Sequence, residues 1–281
     1  MKIIYTSDLH VDEDHYQRLL KLEEDQKPDC LIIGGDLIPI SPFANESIDH
    51  QREFIKGSII PWTSKLKDSK PNLDLYLMMG NYDKAINMDL LEGLEREGII
   101  HLLHKRHYTL EPELHLVGYG YVPITPFSLK DWERCDTDEK IFMTQSRKSF
   151  ISIKKGMQEI DLKEILEKEK TIQEDMECFL RMSDPRKTIY VIHSPPYDTV
   201  LDRIIDGSPC GSKSIRRFIE KHQPPLSLHG HIHESPQVSG SFMEKIGKTI
   251  AINPGQEAGK LHAVVFNTND VKRTIHYLSY T

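Results

Sequence analysis

Apolar and polar positions along the chain group into short runs rich in Ile, Val, Leu and Tyr, each ending in a polar loop. The runs are Lys2–Thr6, Cys30–Ile33, Leu73–Met79, Leu114–Gly118, Thr188–Ile192, Leu226–Leu228, Thr249–Ile252, His262–Phe266 and Thr274–Leu278. Several are apolar almost throughout, the pattern of strands covered on both faces. Helical spacing fills the intervals. Tyr16, Leu19, Leu20 and Glu23 share a helix face after Asp12 or Asp14, and Ser212 is placed to cap a helix carrying Ile215, Phe218 and Ile219 that stops before Pro224 and Pro225. Strands alternating with helices predict an α/β fold. Between about Thr125 and Asp184 strand signal is weak, while Leu162, Ile165, Leu166, Ile172, Met176, Phe179 and Leu180 recur at helical spacing. This predicts one domain over 1–281 with a mainly helical insertion or cap at about 125–184.

The polar residues that end these runs are not a random set. Asp8 and His10 follow the first, Asp36 the second and Asn81 the third; His193 follows "TIYVI", and His231 and His233 follow "LSL". Five predicted strands thus deliver oxygen or imidazole groups at their carboxyl ends, the edge where α/β folds bind ligands. Imidazole and carboxylate donors without thiolate suit Mn²⁺, Fe²⁺ or Zn²⁺. Seven donors exceed one tetrahedral ion but suit two ions sharing a carboxylate. Such a pair can clamp both oxygens of an in-line displacement at phosphorus and generate a hydroxide near neutral pH.

Composition narrows the alternatives. The 281 residues are 38% hydrophobic and 28% charged, and no apolar run approaches the ~20 residues of a membrane helix. The N-terminus passes straight into a polar motif without the apolar core of a signal peptide, so a cytoplasmic protein is expected. Cys30, Cys135, Cys178 and Cys210 are scattered, against a disulfide framework or thiolate zinc site. Of the formal net charge of −7, −5 lies between Glu159 and Glu177, and no basic stripe marks a nucleic-acid groove.

Taken in order, Asp8-Leu9-His10, Gly35-Asp36, Gly80-Asn81-Tyr82-Asp83, His193 and Gly230-His231-Ile232-His233 resemble the motifs of the calcineurin-like metallophosphoesterase superfamily, in its small bacterial and archaeal form. The resemblance implies a four-layer αββα sandwich, two mixed sheets with outer helices. It also implies two divalent cations, Mn²⁺ favoured. Asp8, His10, Asp36 and His233 would hold one; Asp36, Asn81, His193 and His231 would hold the other, with Asp36 bridging. "AINPG" at Ala251 to Gly255 resembles a turn found beside the site in small members. The family usually has Gly-Asn-His-Asp or Gly-Asn-His-Glu, its histidine protonating the leaving group. Here Tyr82 stands in that place, with Asp83 after it as a supporting carboxylate.

A phenol of ordinary pKa near ~10 is a hydrogen-bond donor but a feeble acid at neutral pH. The expectation is therefore a phosphodiesterase acting on a small phosphodiester or nucleotide by attack of a metal-bound hydroxide, with Asp36, Asn81, Tyr82 and Asp83 as its catalytic group. A monoesterase is the less favoured phosphatase reading. The alternatives are a metal-dependent nuclease, disfavoured by the absent basic groove, and a non-catalytic scaffold on the same fold. A metallo-β-lactamase-like hydrolase would need His-x-His-x-Asp-His, which is absent. The loop "DRIIDGSPCGS" suggests phosphate contacts from the backbone at the Ser212 cap and from Arg203, and His229 is a further candidate near the site. No membrane contact is expected, and a homodimer is compatible with the sequence.

Overall fold

The computed structural model describes residues 1–39, 47–137, 148–163 and 169–281. The first apolar run is strand β1 (Lys2–Thr6), parallel to β2 (Cys30–Ile33), which is parallel to β3 (Asp74–Leu77). Alternate residues of β1 and β2 explain their continuous hydrophobicity. Ile3, Tyr5, Cys30 and Ile32 enter one buried cluster, while Ile4, Leu31 and Ile33 enter another. β4 (His101–Leu102) continues this sheet on one side. On the other, β1 pairs antiparallel with Leu261–Asn267, which pairs with the edge strand His276–Tyr280.

A second six-stranded sheet faces the first. It runs from edge strand β5 (His107–Glu111) through β6 (Leu114–Tyr119), Thr188–Ile192, Leu226–Leu228 and Thr249–Ile252 to the edge strand Met243–Ile246. Its inner residues Leu116, Ile189, Val191, Leu226, Leu228 and Ile252 meet Ile3, Tyr5, Ile32 and Tyr76 of the first sheet. The outer face of the first sheet packs on helices α1 (His15–Gln26), α3 (Ile60–Ser69) and α4 (Met88–Arg96); α2 (Ile48–Phe54) precedes α3. The outer face of the second sheet packs on helices Ile172–Phe179 and Lys213–His222. Helix, sheet, sheet and helix thus form the four expected layers. Ser212 caps its helix as read from sequence, its side chain accepting from Ile215 N.

The helical expectation for 125–184 is corrected. A β-hairpin, Ser149–Ile153 with Gly156–Ile160, occupies part of it, turning at Gly156 with φ 123°. Asp131 holds the hairpin, its carboxylate accepting from Ser152 N at 2.7 Å and Ala85 N at 2.8 Å. Among the described residues of the predicted stripe, Ile172, Met176 and Phe179 do form one buried helix face. Ile165 and Leu166 lie outside the described residues. No helix among the described residues is long and apolar enough to cross a membrane.

Candidate metal centre

The parallel strands of both sheets end at one edge, where their loops interlock. Asp8 N donates to Gly35 O at 3.0 Å and His10 N to Asp36 O at 3.0 Å. Three residues at these ends, Asp8, Asp36 and His231, adopt left-handed backbone with φ of 57°, 51° and 66°. Such strain persists only where the surroundings over-determine it, and it clusters at functional sites. The glycines preceding Asn81 and His231 are needed for close approach. A Cβ on Gly80 would stand 2.6 Å from Asp36 N and from His193 Nε2, and one on Gly230 would stand 2.6 Å from Asp8 Oδ2.

Asp36 lies at the middle. Its Oδ1 accepts from Tyr82 N at 2.8 Å, and its Oδ2 lies 3.3 Å from His193 Nε2 and 3.6 Å from His10 Nδ1. Atoms of Asp8, His10 and Asp36 gather within 4.8 Å of one another, all buried. Asp8 Oδ2 and both ring nitrogens of His10 are buried with no hydrogen-bond partner among the described residues. Buried polar atoms without partners are costly unless something supplies what they lack. A divalent cation is one group that would satisfy a buried carboxylate oxygen and an imidazole lone pair together.

The second half is built likewise. His193 Nδ1 lies 2.9 Å from Gly34 O, a carbonyl that can only accept, so Nδ1 carries the proton of the neutral ring. Its Nε2 is left facing Asp36 and Asn81 Oδ1, the latter at 3.2 Å. Three acceptors converge there, and a proton or a metal ion must lie among them. Burial would lower the His193 pKa, but the charge of Asp36 outweighs burial and lifts it to about 9. The same imidazole, with that of His10, holds the Asp36 carboxyl below its ordinary range against the raising effect of burial. His231 is pressed down to about 3, first by burial and then by His193, and burial also lowers His10. Neutral imidazoles are the form that ligates, and burial favours that form in His10 and His231, whereas a cation at His193 would have to take the place of its Nε2 proton beside Asp36. Carboxylate, amide and imidazole donors in this arrangement fit divalent cations.

His231 is tied to the first sheet, its N donating to Asp8 Oδ1 at 2.9 Å, and its ring centroid lies 5.5 Å from that of His193. The half-exposed His233 ring lies 5.6 Å from that of His10 at the open side. Tyr82 sets its ring edge-to-face on His10, with centroids 5.3 Å apart. Asp83 is fully buried and its carboxylate collects Gly80 N, Leu37 N and Ile38 N at 2.9–3.1 Å, fixing the turn that carries Asp36. Burial, with the nearby Asp36 charge, pushes its carboxyl up to about 7.

Other sequence candidates lie elsewhere. His229 is packed in the core between Ser227 Oγ and the carbonyls of Ile192 and Ser194. The backbone at the Ser212 cap is already occupied: Lys213 N and Ser214 N donate to the Asp136 carboxylate at 2.7 and 3.3 Å. Arg203 donates to Asp198 and to the carbonyls of Thr199 and Gly207. The phosphate contacts expected there are thus replaced by internal ones. Sequence reading passed over Gln51, whose amide joins α2 to the Tyr82 loop by donating to Tyr82 O at 3.1 Å and accepting from Lys84 N at 2.8 Å.

The family model of the calcineurin-like phosphoesterases matches residues 1–235. No curated protein sequence matches the chain. Among solved structures, TT1561 of Thermus thermophilus is 15% identical with a TM-score of 0.60, the match covering 99% of this chain and 98% of that one. A putative 5′-nucleotidase from Staphylococcus aureus, solved with α-ketoglutarate, is 15% identical with a TM-score of 0.50 over 99% of this chain and 53% of that one. Another solved chain reaches a TM-score of 0.62 at 17% identity, over 100% of this chain and 99% of its own. At these identities the likeness is one of fold.

Proposed function

This chain belongs to the calcineurin-like phosphoesterase family, and on that premise we propose that it hydrolyses a small phosphodiester with two divalent cations, Mn²⁺ favoured. Asp8, His10, Asp36 and His233 would hold one cation, and Asp36, Asn81, His193 and His231 the other. Bound there, the cations would act as Lewis acids on phosphoryl oxygens and make a water acidic enough to lose its proton near neutral pH. The observation that carries this reading is the group of buried, unmet lone pairs on Asp8 and His10 beside Asp36.

The chain's own residues divide the remaining work. Asp83 holds the Asp36 turn through backbone amides, and Asp36 in turn accepts from Tyr82 N. The Tyr82 phenol would donate a hydrogen bond to a phosphoryl oxygen without serving as an effective acid. That favours diesters, or esters whose leaving group needs no proton. The hairpin Ser149–Ile153 with Gly156–Ile160 would border the site, since Ile86 N, just after the Tyr82 loop, donates to Ser152 Oγ at 3.0 Å.

The test compares bis-p-nitrophenyl phosphate with p-nitrophenyl phosphate in Mn²⁺, with Asp36→Ala as the control. Faster turnover of the diester, abolished in Asp36→Ala, is the expected result. Preference for the monoester would overturn the diesterase assignment, and near-normal turnover by Asp36→Ala would overturn the two-cation site itself.

A further inference from the structure

The turn after strand Thr249–Ile252, Asn253-Pro254-Gly255-Gln256, ties together loops that carry candidate ligands from both sheets. Asn253 is fully buried. Its Nδ2 donates to Ile232 O and Leu201 O at 3.0 Å each and to Gly230 O at 3.3 Å. The carbonyls of Gly230 and Ile232 flank His231, whose φ of 66° is a conformation that needs outside restraint. Gln256, also buried, donates its backbone N to His233 O at 2.9 Å. Its Nε2 reaches the first sheet, donating to Thr6 Oγ1 and Ser7 O at 3.0 Å, directly before Asp8. Gly255 permits this approach, since a Cβ there would stand 2.6 Å from His233 O.

Resting on the two-cation reading, we propose that Asn253 and Gln256 are positioning residues that hold the His231–His233 loop in register with Asp8 across the two sheets, and so set cation affinity. Neither side chain is a ligand. Each spends its donors on backbone carbonyls or a hydroxyl, and its oxygen accepts a backbone N–H: Gly255 N to Asn253 Oδ1 at 2.9 Å, His262 N to Gln256 Oε1 at 2.6 Å. Loss of the donors takes one of two hydrogen bonds from each carbonyl that flanks His231, which keep those from Ile232 N and Ser235 N, and removes the amide donor from Ser7 O directly before Asp8, while the ligands themselves stay in place chemically. Replacing groups that orient metal ligands typically weakens affinity about 10–100-fold.

The experiment exchanges donors for acceptors without changing shape. Asn253→Asp and Gln256→Glu are titrated with Mn²⁺ by calorimetry, and the exchange-coupled two-Mn²⁺ signal is followed by electron paramagnetic resonance. Gln223→Glu, which removes an amide bonded to Ile219 O and Glu220 O at a helix end, serves as a control for destabilisation alone. The expected result is a Kd at least ~10-fold higher and loss of the coupled signal in both site variants, with Gln223→Glu binding like wild type however far its Tm falls. Unchanged affinity and signal in the site variants would overturn the proposal. Wild-type protein that takes up no Mn²⁺ would instead overturn the two-cation reading beneath it. Should a variant not fold, hydrogen exchange of the wild type decides. Mn²⁺ must slow exchange in the peptide spanning 253–257 if the turn and the centre are coupled, and unchanged exchange would overturn the coupling.

Discussion

At position 82 a phenol ring stands edge-on to the His10 imidazole while its backbone N donates to Asp36. The two contacts separate what the ring does from what the hydroxyl does. Tyr82→Phe keeps the ring contact and removes only the O–H. We expect it to slow a diester with a poor leaving group by about 10-fold, roughly one lost hydrogen bond worth ~1.4 kcal/mol, and to leave Mn²⁺ affinity unchanged. Tyr82→His introduces a group of pKa near ~6.5 and should raise the monoester-to-diester ratio, because a monoester of a poor leaving group gains most from a proton. Steady-state rates on both substrates check the pair. Equal rates for wild type and Tyr82→Phe would show that the residue acts by packing on His10 alone.

At the level of elements, the helix Lys213–His222 has an unusual cap. Ser212 caps it in the ordinary way, and Asp136, from a distant segment, lays its carboxylate on the same end through Ser212 Oγ, Lys213 N and Ser214 N. A carboxylate there answers both the unpaired N–H groups and the positive end of the helix dipole. Asp136→Ala should cost about 1 kcal/mol in urea unfolding, and Ser212→Ala in the same chain should add less than its own single effect because the two share partners. The cap itself was legible in the sequence, but its second occupant was not, since nothing local links residue 136 to 212. The same contrast runs through the fold. Strands covered on both faces announce themselves as apolar runs, and every proposed ligand lies in the short loop that follows one. The hairpin Ser149–Ile153 with Gly156–Ile160 is mostly half-buried or exposed and only five residues a side, so its alternation is weak. Gln51 bonds to backbone groups that any residue type supplies, so no pattern of side chains points to it; the "AINPG" run marked the turn that holds Asn253, but not the carbonyls its amide reaches. Which imidazole becomes basic was also out of reach, because it depends on how close each comes to Asp36.

Across the whole molecule, the candidate ligands are shared between the sheets: Asp8, His10, Asp36 and Asn81 follow strands of the first, and His193, His231 and His233 follow strands of the second. Stability should therefore depend on cation and on pH in separable ways. His104 lies among the rings of Tyr119, Tyr121 and Trp132, and its Nδ1 accepts from Gly120 N. Burial, aided by the charges of Lys105 and Arg134, presses its pKa down to about 3, whereas the unfolded chain should titrate near ~6.5. Because the folded value is the lower one, this contribution is fully present above pH ~6.5 and is lost as pH falls towards the folded value, by up to ~1.4 kcal/mol per unit. In metal-free protein, His104→Asn should flatten that acid limb of unfolding free energy against pH; an unchanged slope would place the acid sensitivity elsewhere. The cation effect works by mass action, since ions that bind only the folded arrangement of both sheets stabilise it. Free Mn²⁺ at about 100 times its Kd should add roughly 2.7 kcal/mol. For a chain of this size that raises Tm by about 4–5 °C. Asp36→Ala, lacking the carboxylate on which His10 and His193 converge, should melt at the same temperature with and without Mn²⁺. A full shift in that variant would mean the ions bind away from the strand-end cluster, and no shift in the wild type would mean that the sheets are not joined by cations at all.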